Sequence, residues 1–308
     1  MLPHEGPKEG RPLPIDVIIV SYQSTAELAD CMAAVRAVRD VVRVIVVDNA
    51  SADDSATVAR REGAHVVIEN DTNMGFARAV NTGLGESSAD LVLLLNPDAV
   101  ISDATLARLA DCLARDSVTV MAGPMLLSPS GRTLAGARRF STPVNRLLWH
   151  VPLPWRPAWS TPEYVAPRHA SGCDGPLPVD YLWGAALLCR RSFLDAIGGL
   201  DERFFLYSED EDLGRQARAR GLRSVLVRDA VVQHVGGAST ADAAIAQARV
   251  ERSTALLLEK WRGPTAAALF RVGIGPVLLL RAAVLRLAGR YEEAGLALRT
   301  CGLLVKAR

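Results

Sequence analysis

The chemistry this chain can offer is concentrated in carboxylates that follow apolar runs. Asp98 ends the triplet Asn96-Pro97-Asp98, directly after the five apolar residues Leu91–Leu95. A carboxylate at the carboxyl edge of an α/β sheet is placed to hold a divalent metal ion and, through it, a phosphate. The competing use of Asp98 is to cap the helix expected from about Ser102. Ser21-Tyr22-Gln23 and Asp48-Asn49 close two further apolar runs. There an aromatic ring can flank a flat base and a carboxylate can accept hydrogen bonds from a nucleobase or ribose, or the residues serve as ordinary turns. Glu209, Asp210, Glu211 and Asp212 form an acidic run, read either as a solvated helix start or as a site wall that holds a general base. The apolar lead-in Phe204, Phe205, Leu206 and Tyr207 favours the wall. His234 precedes Gly236 and Gly237, which permit a loop bending back over a site. A lone histidine is more often structural, but with Asp98 it would give an oxygen and nitrogen donor set for Mn²⁺ or Mg²⁺, diphosphate oxygens filling the remaining positions.

A further candidate runs through residues 73–83, NMGFARAVNTG. Gly75 at a helix start allows close approach of a phosphate to free backbone N–H groups, and Arg78 one turn later adds a charge. The spacing is neither GxGxxG nor GxxxxGK, which disfavours a dehydrogenase or a kinase.

These residues need a scaffold, and the hydropathy pattern supplies one. Strands are expected at 15–21, 41–47, 64–68, 91–95 and 118–122. Helices are expected at 24–38, from 52–55 onward, and at 75–84. Ser24 and Glu27 have the spacing of a capping box. Such alternation predicts a doubly wound parallel sheet with right-handed crossovers. Periodicity loosens at 128–179, where Trp149, Trp155 and Trp159 cluster, either a functional excursion or an ordered surface one. It resumes at 179–188, with helices at 193–197 and 213–220, strands at 224–227 and 231–237, and a long helix at 241–261.

With 308 residues, 49% of them apolar, the chain is ample for a large core. The expected organisation is a loose polar tail at 1–13, a main domain at 14–262 and a helical extension at 263–308. Within the main domain, 14–127 forms one half and 128–262 the other. The tail lacks an apolar signal-peptide core, so a cytoplasmic protein is expected. Five cysteines (31, 112, 173, 189 and 301) show no paired spacing and read as reduced core thiols. From Pro264 onward seven Lys or Arg face only Glu292 and Glu293, a net +5 on a net −4 body. That basic, apolar segment suits a peripheral contact with a membrane surface at its inner, cytoplasmic face, or packing on the main domain or on a second copy as a homodimer. Its longest charge-free stretch after Arg271, residues 272–280, is short of the roughly 20 residues of a membrane span. Nothing in the charge balance calls for nucleic acid.

Taken in order, VSY, VVDNAS, NMGFARAVNTG, LLLNPDA, FFLYSEDEDLGRQARARG and HVGGAS resemble the motifs of family 2 inverting glycosyltransferases, rhamnosyltransferase-like branch, from about residue 15 to 261. The resemblance implies a GT-A fold, a mostly parallel α/β sheet, with a nucleotide-sugar donor and a divalent cation. It assigns Ser21, Tyr22, Asp48 and Asn49 to the nucleobase and ribose. Asn73, Gly75, Phe76, Arg78, Asn81 and Asn96 join the donor side. Asn96-Pro97-Asp98 stands where the family has DxD, with Asn for the first Asp, so Asp98 and His234 should carry the metal. Asp210, with Glu209, supplies the catalytic base, and Asp212 is a weaker candidate. Trp183 and Gly184 resemble the segment lining the acceptor side, with Glu209 and Asp212 nearby, although Trp183 also reads as simple core packing. The implied donor is dTDP-L-rhamnose, with UDP-sugars used by relatives, and the implied acceptor a glycan on a polyprenyl diphosphate. Two other classes compete. A non-catalytic nucleotide-sugar binder would tolerate loss of Asp98 or Asp210, and a sugar nucleotidyltransferase would carry a glycine-rich, lysine-containing loop after strand one, which this chain lacks.

Overall fold

The computed structural model describes residues 14–134, 136–151, 175–236 and 242–306. Four parallel strands, β1 (Ile15–Ser21), β2 (Val41–Asp48), β3 (Val66–Glu69) and β4 (Leu91–Leu95), alternate with helices α1 (Thr25–Arg36), α2 (Ser55–Arg61) and α3 (Phe76–Glu86). There follow β5 (Ala99–Val100), α4 (Asp103–Arg115), β6 (Thr119–Leu127), β7 (Thr133–Leu134), β8 (Ala137–Arg138) and α5 (Pro143–His150). After residue 175 come β9 (Leu177–Val179), β10 (Tyr181–Leu182), β11 (Ala186–Arg190), α6 (Arg191–Ile197), α7 (Glu209–Ala219) and β12 (Arg223–His234). Helices α8 (Ala243–Arg262), α9 (Pro264–Leu287) and α10 (Tyr291–Lys306) close the described chain.

The main sheet runs β3-β2-β1-β4-β11-β6-β12-β5. All five residues of β4 are buried, as a strand covered on both faces requires. The expected parallel winding holds from β3 to β4 and between β6 and β12, but β11 is inserted antiparallel to both β4 and β6. Alternate residues divide between two cores: Ile15, Val17 and Ile19 pack with α1 and α4 on one face, Ile18 and Val20 with α3 and α6 on the other.

Several local expectations change in the structure. Ser24 does not form a capping box with Glu27; its hydroxyl donates to the Tyr22 carbonyl at 3.1 Å instead. Asp98 does not cap α4, because Ser102 does, accepting from the Thr105 N–H at 3.2 Å. The acidic run forms the first turn of α7, as a helix start, so that this helix begins at Glu209 rather than at 213. The two expected strands after Gly221 are one, β12, whose register against β6 shifts between Val227 and Val231. Trp155, Trp159 and Cys173, with the tail at 1–13 and Gly237, lie outside the described residues. Cys31, Cys112, Cys189 and Cys301 are buried free thiols.

Helix α9 also departs from expectation. Although residues 272–280 are short, the helix continues through Pro276 and past Arg271 and Arg281, so that by length and composition it is apolar enough to cross a membrane. In the fold its inner face is packed: Phe270, Ile274, Leu278 and Leu285 join Leu258 of α8 and Ala294, Ala297 and Cys301 of α10. Helix α5 is tied to α8 by a buried cluster in which Glu251 lies 3.3 Å from the Arg146 guanidinium and 3.0 Å from His150 Nε2. Removing one partner of a buried ion pair strands the other charge. Glu251→Ala is therefore expected to destabilise the protein by about 3–5 kcal/mol, read as a lower midpoint in chemical denaturation.

Candidate functional site

The carboxyl edge of the sheet gathers the site. Ser21 pairs in register with Asp48, and Ile19 with Leu95, so the ends of β1, β2 and β4 open on one side. Pro97 stops β4, and the chain turns into β5, whose Ala99 pairs with His234 at the end of β12. The pairing brings His234 Nε2 to 3.2 Å from Asp98 Oδ1, while the Gly236 N–H donates to Asp98 Oδ2 at 2.9 Å. Asn96 Nδ2 stands 3.4 Å from the same His234 nitrogen. Burial works to raise the Asp98 carboxyl, yet the hydrogen bond and charge of His234 and the Gly236 N–H hold it below its ordinary value. Asp98 is thus an anion at neutral pH.

These residues fit a divalent cation. Oxygen and imidazole nitrogen are the donors such ions take, and 3.2 Å is close to the spacing of about 3 Å between neighbouring ligands in an octahedron with bonds of about 2.1 Å. No group of three or more His, Cys, Asp or Glu suited to a metal occurs among the described residues, so further ligands would come from substrate or water. His234 Nδ1 and Ser21 Oγ are buried without a partner among the described residues. The neighbouring Cys31 thiol, pushed up to about 12 by burial and by Asp98, is no nucleophile.

A second group meets the first through Trp183. Because β11 runs antiparallel to β4, its lead-in Trp183-Gly184-Ala185 arrives at the edge where β4 ends, and the Asn96 N–H donates to the Ala185 carbonyl at 2.9 Å. The Trp183 ring meets His234 edge-on at 5.8 Å, and the Arg138 guanidinium lies 4.8 Å over its centroid. Gly184 approaches α7 closely enough that its N–H donates to Asp210 Oδ2 at 3.3 Å. Asp210 Oδ1 accepts from the Glu211 N–H at 2.8 Å.

Helix α7 is entered through Tyr207 and Ser208, both at φ +71°. Two successive non-glycine residues in the left-handed region cost of order 1–3 kcal/mol each and mark a place where the fold imposes a geometry. They deliver Glu209 and Asp210 side by side. Burial raises the Glu209 carboxyl and the Asp210 charge raises it further, while Glu209 Oε2 has no partner among the described residues. Burial also raises Asp210, but the Glu211 N–H, Arg138 and the Gly184 N–H oppose it. These unequal surroundings favour the proton on Glu209 and the charge on Asp210, which keeps partial exposure. A partly exposed carboxylate with a raised pKa is equipped to accept a proton near neutral pH.

Other candidates have different tasks. Asn49 donates to Asn73 Oδ1 and accepts from the Met74 N–H, Asn73 Oδ1 also accepts from the Gly75 N–H, and the Phe76 N–H donates to the Phe205 carbonyl at 2.7 Å. The Gly75 and Phe76 N–H groups expected to meet a phosphate are thus already occupied. A Cβ there would come within 2.4 Å of the Phe205 oxygen, so the glycine serves the approach of the segment before α7. Asn81 brackets the Leu200 backbone with bonds of 2.8 Å, and Arg78 faces Glu202 at 3.7 Å; both tie α3 to the turn at 199–202. Asp48 accepts from the Ser51 N–H and hydroxyl. Asp212 is turned away from Asp210, bound by Lys260 at 2.8 Å and by Trp261 Nε1 at 2.7 Å. That geometry argues against an acceptor or base role for Asp212 and makes it an anchor between α7 and α8. Tyr22 stays partly exposed beside Ser21.

Arg138 is the site residue that the sequence did not single out. It lies in the aperiodic stretch, on a two-residue strand opposite Tyr181, with its Nε buried and unpartnered among the described residues. Its position depends on Trp183, whose N–H donates to the Gly136 carbonyl at 2.9 Å.

Comparison with known proteins follows the same outline. The family model for glycosyltransferase-like family 2 matches residues 12–252. An N-acetylglucosaminyl-diphospho-decaprenol L-rhamnosyltransferase of Mycobacterium tuberculosis is 30% identical over 269 residues, 81% of this chain and 87% of that protein. A low-salt glycan biosynthesis hexosyltransferase of Haloferax volcanii is 24% identical over 212 residues, 68% of this chain and 62% of its own. Among solved structures, a mannosyltransferase of Pyrobaculum calidifontis in complex with GDP-Man and Mn²⁺ superposes with a TM-score of 0.59 at 14% identity, covering 98% of this chain and 90% of that one. S. aureus TarS (residues 1–349) gives 0.54 at 14% identity, with 96% and 91% covered. The solved structures share the fold, and the family match extends over most of the chain. The protein therefore belongs to glycosyltransferase-like family 2 and has the GT-A fold.

Proposed function

We propose that the protein is an inverting rhamnosyltransferase, moving L-rhamnose from dTDP-L-rhamnose to a glycan carried on a polyprenyl diphosphate. The observation that carries the chemistry is the adjacent carboxyl pair Glu209 and Asp210 beside Trp183 and Gly184, whose N–H donates to Asp210 Oδ2. The choice of rhamnose and of a lipid-linked acceptor is supported by the 30% identity to the mycobacterial enzyme named for that reaction.

In this reading Asp210 takes the proton of the acceptor hydroxyl as that oxygen attacks the anomeric carbon. The bond from that carbon to the diphosphate breaks on the opposite face, which gives inversion and releases a nucleoside diphosphate. Glu209 keeps its proton and so spares Asp210 a second adjacent charge. Trp183 offers an apolar wall to the acceptor sugar. The Arg138 charge keeps Asp210 ionised, and Ser21, Tyr22 and Asp48 line the edge where the base and ribose would lie. A Mn²⁺ or Mg²⁺ ion held by Asp98 and His234 would supply positive charge to the departing diphosphate.

The decisive assay follows nucleoside diphosphate release from dTDP- and UDP-sugars with polyprenyl diphosphate-linked acceptors. Asp210→Asn is expected to lower kcat on the order of 10²–10⁴-fold with little change in donor binding. Release from a UDP-sugar alone would replace the donor, whereas donor binding without turnover by either protein would favour a binding module. The raised Asp210 pKa has a definite sign: activity should fall as the pH drops through a value above the ordinary aspartate range. Removing the Arg138 charge, as in Arg138→Gln, should move that acidic limb to higher pH, visible in a kcat-versus-pH profile. Chelation should abolish turnover and Mn²⁺ or Mg²⁺ restore it, with His234→Ala raising the metal concentration required for half-maximal rate.

A further inference from the structure

Helix α9 is apolar on two faces, and only one of them is covered. Ala267, Phe270, Ile274, Leu278, Ala282 and Leu285 recur at intervals of three and four and are buried against the neighbouring helices. On the outward side Leu269, Val272, Leu279, Leu280 and Leu287 are 63%, 69%, 51%, 52% and 90% exposed. They too recur at helical intervals, with Pro276 and Ala283 between them and no charged residue in the stripe before Arg286. Soluble surfaces scatter such residues singly; a continuous stripe marks a docking surface.

What seats there can be argued from shape and charge. A helix–helix partner needs a narrow seam at heptad positions. From Leu269 and Val272 that seam continues through Pro276, Leu279 and Ala283 to Arg286 and Arg290, so a proline interrupts it and two cations end it. The apolar band is also wider than a seam, since Leu280 and Leu287 extend it sideways. A second copy would further bring two segments of net +5 together, a repulsive pairing, whereas anionic headgroups attract them. Crossing the bilayer would require the inner face of α9 to leave its packing against α8 and α10.

We propose that the outward face of α9 docks in the plane of an anionic lipid surface, its leucines in the acyl boundary and the exposed Arg262 and Arg286 at headgroup level. The inference is independent of the donor and acceptor assigned above. It is tested by sedimenting the full chain with vesicles of phosphatidylcholine containing phosphatidylglycerol, and with vesicles of phosphatidylcholine alone. The expected result is binding to the anionic vesicles, weakened by salt. The double variant Leu279→Glu/Leu280→Glu should bind at least about tenfold more weakly while keeping its thermal midpoint. Arg262→Gln/Arg286→Gln should lose binding by a smaller factor and only on the anionic vesicles. Equal sedimentation of the leucine variant and the parent would overturn the proposal. So would a parent that ignores vesicles but is dimeric by light scattering and becomes monomeric in the leucine variant, because the face then belongs to a second copy.

Discussion

Everything at the site depends on one strand running the wrong way. In a wholly parallel sheet the edge that binds ligands receives only the carboxyl ends of strands. Here β11 enters between β4 and β6 antiparallel to both, so it begins where they end. Its lead-in sets Trp183 against His234 and Gly184 against Asp210. The polar groups at the ends of β1, β2 and β4 and the carboxyls of α7, far apart in sequence, meet across that strand. Reversing β11 would keep the hydrophobic ladder and lose the site.

The electrostatics follow from that closure. Burying two adjacent carboxyls is costly, and proteins meet the cost by leaving one of them neutral. Which one is neutral is set by unequal partners: two backbone N–H groups and Arg138 surround Asp210, while one oxygen of Glu209 has none among the described residues. The strained pair Tyr207 and Ser208 holds the two side chains in that unequal setting. Strain and desolvation at one helix start are tolerable because α7 is fastened elsewhere. Glu211 accepts from the backbone and hydroxyl of Ser141 and pairs with Arg215, and Asp212 is held by Lys260 and Trp261. Four consecutive acidic residues thus divide into two that anchor the helix and two that face the site.

The polar residues around Gly75 show how easily anchoring resembles binding. A glycine before a helix, preceded by asparagine and followed by arginine, is how many phosphate sites read. In this fold the same features accommodate the backbone of Phe205, and Asn49, Asn73 and Asn81 satisfy loop N–H and C=O groups. Backbone polar groups near a buried edge must be paired, so small polar side chains there serve the chain before they serve a ligand.

The sequence by itself determined the strand and helix order through residue 122 apart from the two-residue β5, because period-two and helical spacings are local properties, and it marked Asp98, Asp210 and His234 as carboxylates and imidazole next to chain breaks. It also showed the basic, apolar character of the last helices. Only the tertiary structure decided that β11 is antiparallel, that His234 lies 3.2 Å from Asp98, that Arg138 stands over Trp183 and that Asp212 faces α8 rather than the site. Strand direction in a mixed sheet, the partner of a charge and the side of a helix that is covered are set by contacts between segments distant in sequence. No local spacing records them.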